Sequence, residues 1–414
     1  MKYFKFILIA FITLIILRIN LKLHSENYSK QEVENDIVLQ LNFLEDELKS
    51  HDLAGRMQQI FPEGNVFINA LYGLSWCELA LASPGNTKLT NKALNEALFA
   101  YNSIDSDKTR LTFPNYLNPE NGIFYDGWRN YLLSKILLLK TSFENKEKYL
   151  AQYKTQSNLI ATALEESKTP YLQSYAGHSW PADMFVAMAS LSHYQKVFDE
   201  TYAPLIKRWL TEVKNNLDTK TGLIPHKVDF QSAHTIEGAR GCSIGLILRM
   251  LGEIDYGFAE DQFKIADSLF IETTFGLPSM REYPVGEFGL GDIDSGPVIF
   301  GVGFSGTIVM IGTLAMYGEA NLAEQQYKTI HAFGFDKVRN DQKKYLFGIL
   351  PMADAFIAWG RATMLNYYQN VKHNKGSWYF SFHLYSLLFC LLIWLLLFRK
   401  RLVHFYKTAN KVGN

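Results

Sequence analysis

The sequence predicts an all-α fold, an (α/α)6 toroid of helical hairpins flanked by N- and C-terminal transmembrane helices. Three observations point there. Apolar helical stretches recur every 52–64 residues, amphipathic partner helices follow most of them, and an uncharged apolar segment lies near each end of the 414-residue chain.

The elements follow in chain order. Residues 6–17, FILIAFITLIIL, are uncharged between Lys5 and Arg18. A run of about 12 residues is short for a span, which needs ~20, but snorkelling of Lys5 and Arg18 lengthens it. No small-x-small cleavage site follows, so residues 1–25 are expected to form a membrane anchor or signal anchor.

Residues 30–370 are expected to form the toroid domain. Inner helices are predicted over 66–82, 127–139, 181–197, 237–251, 303–317 and 350–364, and outer helices over 91–101, 146–164, 200–216, 259–273 and 321–333. Asn69, Asn130, Asp183, Arg240, Phe304 and Phe356 mark equivalent points of the repeat. Glycines such as Gly241, Gly245, Gly306 and Gly312 suit a crowded centre, and an open solenoid is the alternative arrangement. The connections before the inner helices are long and rich in Gly, Pro, aromatics and charge, which is where function sits on a rigid scaffold.

The 21 residues 378–398 reach across a ~30 Å hydrocarbon core. The second span is placed at 376–400 and a basic cytoplasmic tail at 401–414. Arg399, Lys400, Arg401, Lys407 and Lys411 on one side, with Lys2 and Lys5 at the start, put both termini in the cytoplasm and the main domain on the extracytoplasmic side.

Composition narrows the function. Lys+Arg and Asp+Glu both number 41, so the net charge is zero and no basic face favours nucleic acid. Hydrophobic residues at 48% and charged residues at 20% exclude a disordered chain. The 29 Phe, 23 Tyr and 7 Trp supply more aromatic surface than a core needs, which fits ligands such as sugar rings or hydrocarbon chains. Three cysteines, Cys77, Cys242 and Cys390, make no disulfide framework. No H-E-x-x-H, C-x-x-C or P-loop signature occurs, so no metal and no cofactor is expected.

The candidate catalytic residues are carboxylates. Asp183, in His178-Ser-Trp-Pro-Ala-Asp, falls in the first turn of an inner helix behind Pro181, with Ser179 as the cap. There it either offsets the helix dipole or serves as acid or base beside a cavity. Asp292 and Asp294 have the i, i+2 spacing that places two side chains on one side of an extended segment, where mutual repulsion separates their pKa values. Their D-x-D-x-G pattern is also that of a turn; a calcium loop would need Glu where Gly303 stands. Trp128, His178, Trp180, His226, Glu237, Arg240, Arg281 and Tyr283 are candidate ligand contacts. Arg240 and Arg281 could grip a ligand anion bidentately, or Glu237 and Arg240 could form a plain i, i+3 ion pair. G-x-G-x-x-G over 301–306 matches a dinucleotide fingerprint without its βαβ context, so helix packing is the preferred reading.

This layout resembles the six-hairpin toroid superfamily, which includes many glycoside hydrolases, polysaccharide lyases and epimerases. Within it the chain is most similar to the linalool dehydratase-isomerase type, through the helix start at 181–186 and Asp292-x-Asp294-x-Gly296 running into a glycine-rich inner helix. That type uses a cysteine pair near the first of these sites, and here Ser179 and Met188 stand at about those positions. The resemblance to glycosidase-like members implies acid/base roles for Asp183, Glu282, Asp292 and Asp294. The expected function is a membrane-anchored enzyme, a glycosidase-like hydrolase or lyase, acting on a small-molecule or glycan ligand. The alternatives are an isoprenoid or lipid dehydratase-isomerase and a non-catalytic binding scaffold.

Overall fold

The computed structural model describes residues 2–24, 29–60, 62–368 and 378–412, with side chains from 3 to 399. Helix α1 (Lys2–Leu23) is followed by α2 (Lys30–Ser50) and α3 (Leu53–Ile60). The hairpins follow: α4 (Gly64–Ala82) with α5 (Thr87–Ile104), then a short α6 (Asp107–Arg110) and α7 (Ile123–Leu138) with α8 (Lys146–Glu166). Next come α9 (Pro181–Ser192), a short α10 (Tyr194–Val197) and α11 (Ala203–Lys214), then α12 (Gly241–Ile254) with α13 (Tyr256–Phe270). Helices α14 (Phe304–Met316), α15 (Ala320–Phe333), α16 (Pro351–Leu365) and α17 (Phe380–Val412) complete the chain.

Helices α4, α7, α9, α12, α14 and α16 each pack on the next, and α16 packs on α4. This contact closes the inner ring and excludes the open solenoid. Inner helices lie between the ring centre and the outer layer, so nearly every residue of α4 is buried. An outer helix such as α5 buries only a stripe, Ala93, Ala97, Ala100, Tyr101 and Ile104, at helical spacing. Close approach explains the glycines: a Cβ on Gly306 would sit 2.9 Å from the Gly241 carbonyl carbon, and one on Gly241 2.1 Å from the Arg281 carbonyl oxygen. The G-x-G-x-x-G run is thus a packing seam.

The outer partner of α16 comes from the other end of the chain. Helix α2 packs on α16 and α4. Gln40 of α2 donates to both the backbone and the carboxylate oxygen of Asp354, at 3.0 and 3.1 Å, and Asp36 pairs with Arg361 and Lys343. At the far end of the ring, away from the inner-helix starts, Glu78, Lys135, Arg249 and Glu253 form a buried ion cluster with contacts of 3.0–3.1 Å. Each charge has an opposite partner there, which such burial requires.

Among the described residues the long connections carry four antiparallel ribbons, absent from the helix-only expectation because each strand has only two to four residues. They are β1 (Lys227–Val228) with β2 (Thr235–Glu237), β3 (Ile271–Thr274) with β4 (Leu277–Met280), β5 (Val298–Ile299) with β6 (Val302–Gly303), and β7 (Lys337–Arg339) with β8 (Gln342–Lys344). The first ribbon takes Glu237 out of the predicted helix: α12 begins at Gly241, and Arg240 is its cap residue.

Helices α1 and α17 are long and apolar enough to cross a membrane. They run antiparallel: Phe6 meets Trp394 at 5.5 Å between ring centres, the Trp394 indole donates to Thr13 at 3.0 Å, and Asn20 accepts from Ser386 at 3.1 Å. Both join the toroid at one place. Ile19 and Leu23 bury against Leu277 and Ala332, while Arg18 and Lys22 each lie 3.0 Å from Asp336. Lys400, Arg401, Lys407 and Lys411, on which the orientation expectation rests, lie outside the residues whose side chains are described.

Candidate active site

Short returns at the far end leave the long connections together at the end where the inner helices begin, and the predicted residues gather at this mouth. Proline at the first position starts α9, and Asp183 falls in its first turn. The cap is Trp180, not Ser179, whose hydroxyl donates to the Leu172 carbonyl at 2.7 Å. Asp183 is buried, and burial raises its carboxyl to about 7, with the negative charges of Glu63 and Asp294 adding to the shift. The Ser174 hydroxyl works against the rise. The Trp128 indole N–H assists from beyond hydrogen-bond range, since that buried nitrogen has no partner among the described residues.

Tyr175 ties this group together. Its phenol is pushed well above the ordinary value by burial and then by Asp183, Glu63 and Asp294, so it remains a neutral hydroxyl among three carboxylates. Its ring stacks on Phe124 at 5.5 Å and meets Trp180 edge-on at 5.5 Å. Phe67 lies 5.1 Å from both Phe124 and Trp128 and 6.0 Å from Phe356, which builds an aromatic floor below the carboxylates.

Opposite stands a site organised by Arg240. Its guanidinium bonds Asp292 through both terminal nitrogens, at 2.5 and 3.0 Å, and donates through Nε to Glu282 at 2.8 Å. Glu237 lies at 3.5 Å. Asp292 is therefore held low, at about 2, chiefly by its hydrogen bond to Arg240, and its Oδ1 also accepts from the backbone of Asp294 and Ser295. Asp294, which has no such ion pair, is raised by partial desolvation, then by Asp292 and Glu63, against the pull of Arg240. One arginine separates two neighbouring carboxylates into an ion-paired and a proton-accepting member.

Glu282 has no solvent exposure and lies behind Arg240, with the Cys242 N–H donating to it at 3.2 Å. It cannot touch a ligand in this arrangement and serves to hold Arg240. His226 is buried, bonded to Ser243, and driven down to about 3 by burial and by Arg240, so it is neutral. Burial and Glu282 keep Cys242 a thiol. Arg281 is also engaged, with Glu272 at 3.1 Å. His178 and Glu237 are exposed on the rim, whereas Trp180 and Tyr283 are half-buried, covered by Lys227 at 4.9 Å and Arg240 at 5.5 Å. Trp128 is fully buried in the floor.

The residues missed from sequence are Glu63, Ser174 and Tyr175. Glu63 stands immediately before the first inner helix, where the later repeats have Gly122, Trp180, Arg240, Gly303 and Leu350, so the repeat offered no signal for it. Ser174 and Tyr175 reach the site through the turn in which the Ser174 N–H bonds the His178 carbonyl at 2.9 Å. Among the described residues no cluster of His, Cys, Asp or Glu has the arrangement of a metal site.

No protein-family model matches this chain, and no curated protein matches it. Among solved structures it is similar to a polysaccharide lyase, with a TM-score of 0.51 and 14% identity over 83% of this chain and 99% of the lyase. It is also similar to a GH76 alpha-mannanase from Bacteroides thetaiotaomicron, with a TM-score of 0.46 and 11% identity over 73% of this chain and 86% of the mannanase. At such identity the likeness to the lyase concerns the fold alone, a closed ring of helical hairpins.

Proposed function

We propose that this chain is a membrane-anchored, extracytoplasmic carbohydrate-active enzyme that hydrolyses glycosidic bonds. Asp183 is the general acid and Asp294 the base. One observation carries the reading: Asp183, buried in the first turn of α9, and Asp294, on the exposed loop beside Arg240, lie at the mouth of one aromatic-floored ring, and both are raised, with the charge of Glu63 acting on each. A carboxyl titrating at about 7 holds a proton near neutral pH and can give it to the leaving oxygen, while the second carboxylate takes one from water. Burial, with the charge of Glu63 adding to it, keeps Asp183 protonated, and Arg240 keeps Asp292 ionised beside the base. Half-buried Phe67, Phe356, Trp180 and Tyr283 offer ring faces to sugars.

The residues favour hydrolysis over elimination. A lyase must neutralise the uronate carboxylate of its substrate, and Arg240 and Arg281 are both taken by protein carboxylates. The isoprenoid alternative lacks a reactive thiol, since Cys242 and the buried Cys77 are both held protonated. A pure scaffold would place every carboxylate in its own ion pair, as Asp292 is, whereas Asp183 and Asp294 have no such partner among the described residues. Incubation of the purified chain with neutral and uronate-bearing oligosaccharides tests the proposal. New reducing ends without ultraviolet-absorbing unsaturated products support hydrolysis; unsaturated products would overturn it in favour of elimination.

A further inference from the structure

The two apolar helices and the candidate site share one end of the toroid. Helix α1 docks on the end of α15 and on β4, and the start of α17 meets the same place, with Phe382 5.8 Å from Phe333. Outer helices end, and inner helices begin, at the mouth. Both apolar helices therefore leave from the mouth, not from the far end with its buried ion cluster.

The exposed apolar side chains of the toroid follow the same asymmetry. Large hydrophobic residues exposed between residues 29 and 368 lie in the connections before the inner helices or at the adjoining helix ends, apart from Leu81, Leu159 and Tyr256. The most exposed include Phe288 at 86%, Leu290 at 90%, Phe300 at 73% and Ile349 at 80%. Singly such residues need no explanation, but collected on one rim they need a cover. The rim is continuous with α17: Phe300 meets Phe275 at 5.1 Å, and Phe275 meets Tyr385 at 6.2 Å. Beside it, Lys337 and Arg339 on β7 are exposed, as suits a surface that meets headgroup phosphates.

We propose that this rim docks on the lipid bilayer itself, so that the mouth of the toroid faces the membrane that holds α1 and α17. The loop over 285–300 and the 346–350 connection sink their apolar side chains into the headgroup boundary, and a ligand reaching Asp183 enters along the membrane surface. Depth of this kind is ~5–10 Å for interfacial apolar faces. The inference rests on the anchoring part of the proposed function, not on its chemistry.

The unmodified full-length protein, reconstituted in phosphatidylcholine vesicles with a lipid carrying a diazirine near the headgroup, provides the test. After illumination, peptides bearing lipid adducts are identified by mass spectrometry. The expected result is adducts on α17 and on the segments with Phe288, Leu290, Phe300 and Ile349, with none on those with Leu159 or Tyr256. The rim adducts are then lost on combining Phe288→Ser, Leu290→Ser and Phe300→Ser. Adducts on α17 alone would overturn the docking proposal while leaving the anchor intact. Their absence from α17 as well would overturn the anchor and the docking together.

Discussion

Asp183→Asn is expected to raise stability while removing activity. Burial, with Glu63 and Asp294, lifts the Asp183 carboxyl from 3.8 to about 7. For a carboxyl raised on folding, the favourable contribution is complete below its unfolded pKa and is lost as pH rises to the folded value. Asp183 therefore weakens the fold progressively between about pH 4 and pH 7, and by a constant amount above that. About three pKa units at ~1.4 kcal/mol each set a ceiling near 4 kcal/mol. Asparagine keeps the shape and removes the charge, so the stability gap between variant and wild type should widen by roughly 2 kcal/mol between pH 5 and pH 8. Asp354, also raised to about 7 by burial against the opposing bonds from Tyr345 and Gln40, titrates in both proteins and cancels. Denaturant titration in one detergent at both pH values measures the gap. A gap that stays constant or narrows would refute the assignment of Asp183 as a buried, charge-crowded acid.

Three further outcomes follow from the same geometry. With Asp183 as acid, kcat/KM for a glycan substrate should fall as pH rises through about 7, and Asp183→Glu should shift that limb where a purely structural role would leave it in place. Arg240→Leu strands the fully buried Glu282 without its cation and should destabilise by ~3–5 kcal/mol; adding Glu282→Gln should restore part of the loss in thermal denaturation. Gln40→Ala removes both bonds from α2 to Asp354 and should cost ~1–3 kcal/mol, with earlier proteolysis near α2 as the visible sign of a loosened ring closure.

The inner helices were legible because burial on all sides writes itself as continuous apolar sequence, and the repeat supplied their spacing. The partner of α16 was not: α2 lies more than 300 residues away in sequence, and its buried stripe, Val33, Ile37, Gln40, Leu41 and Leu44, includes a polar residue that breaks the apolar pattern. The ribbons were too short to show a period of two. At the site, proline followed by an acid was enough to place Asp183. Spacing alone could not tell Asp292 from Asp294, since Arg240, 52 positions from Asp292 in the chain, decides which of them is ion-paired. Glu63 stayed hidden because nothing local distinguishes an acid at a helix start from one that faces other carboxylates across a ring.

The most direct test of the central claim is release of new reducing ends from a panel of neutral oligosaccharides at pH 6, comparing wild type with Asp183→Asn and Asp294→Asn. The account predicts release by the wild type and a loss of ~10²–10⁴-fold in each variant, with the fold intact by circular dichroism. Turnover in either variant equal to that of the wild type would contradict it.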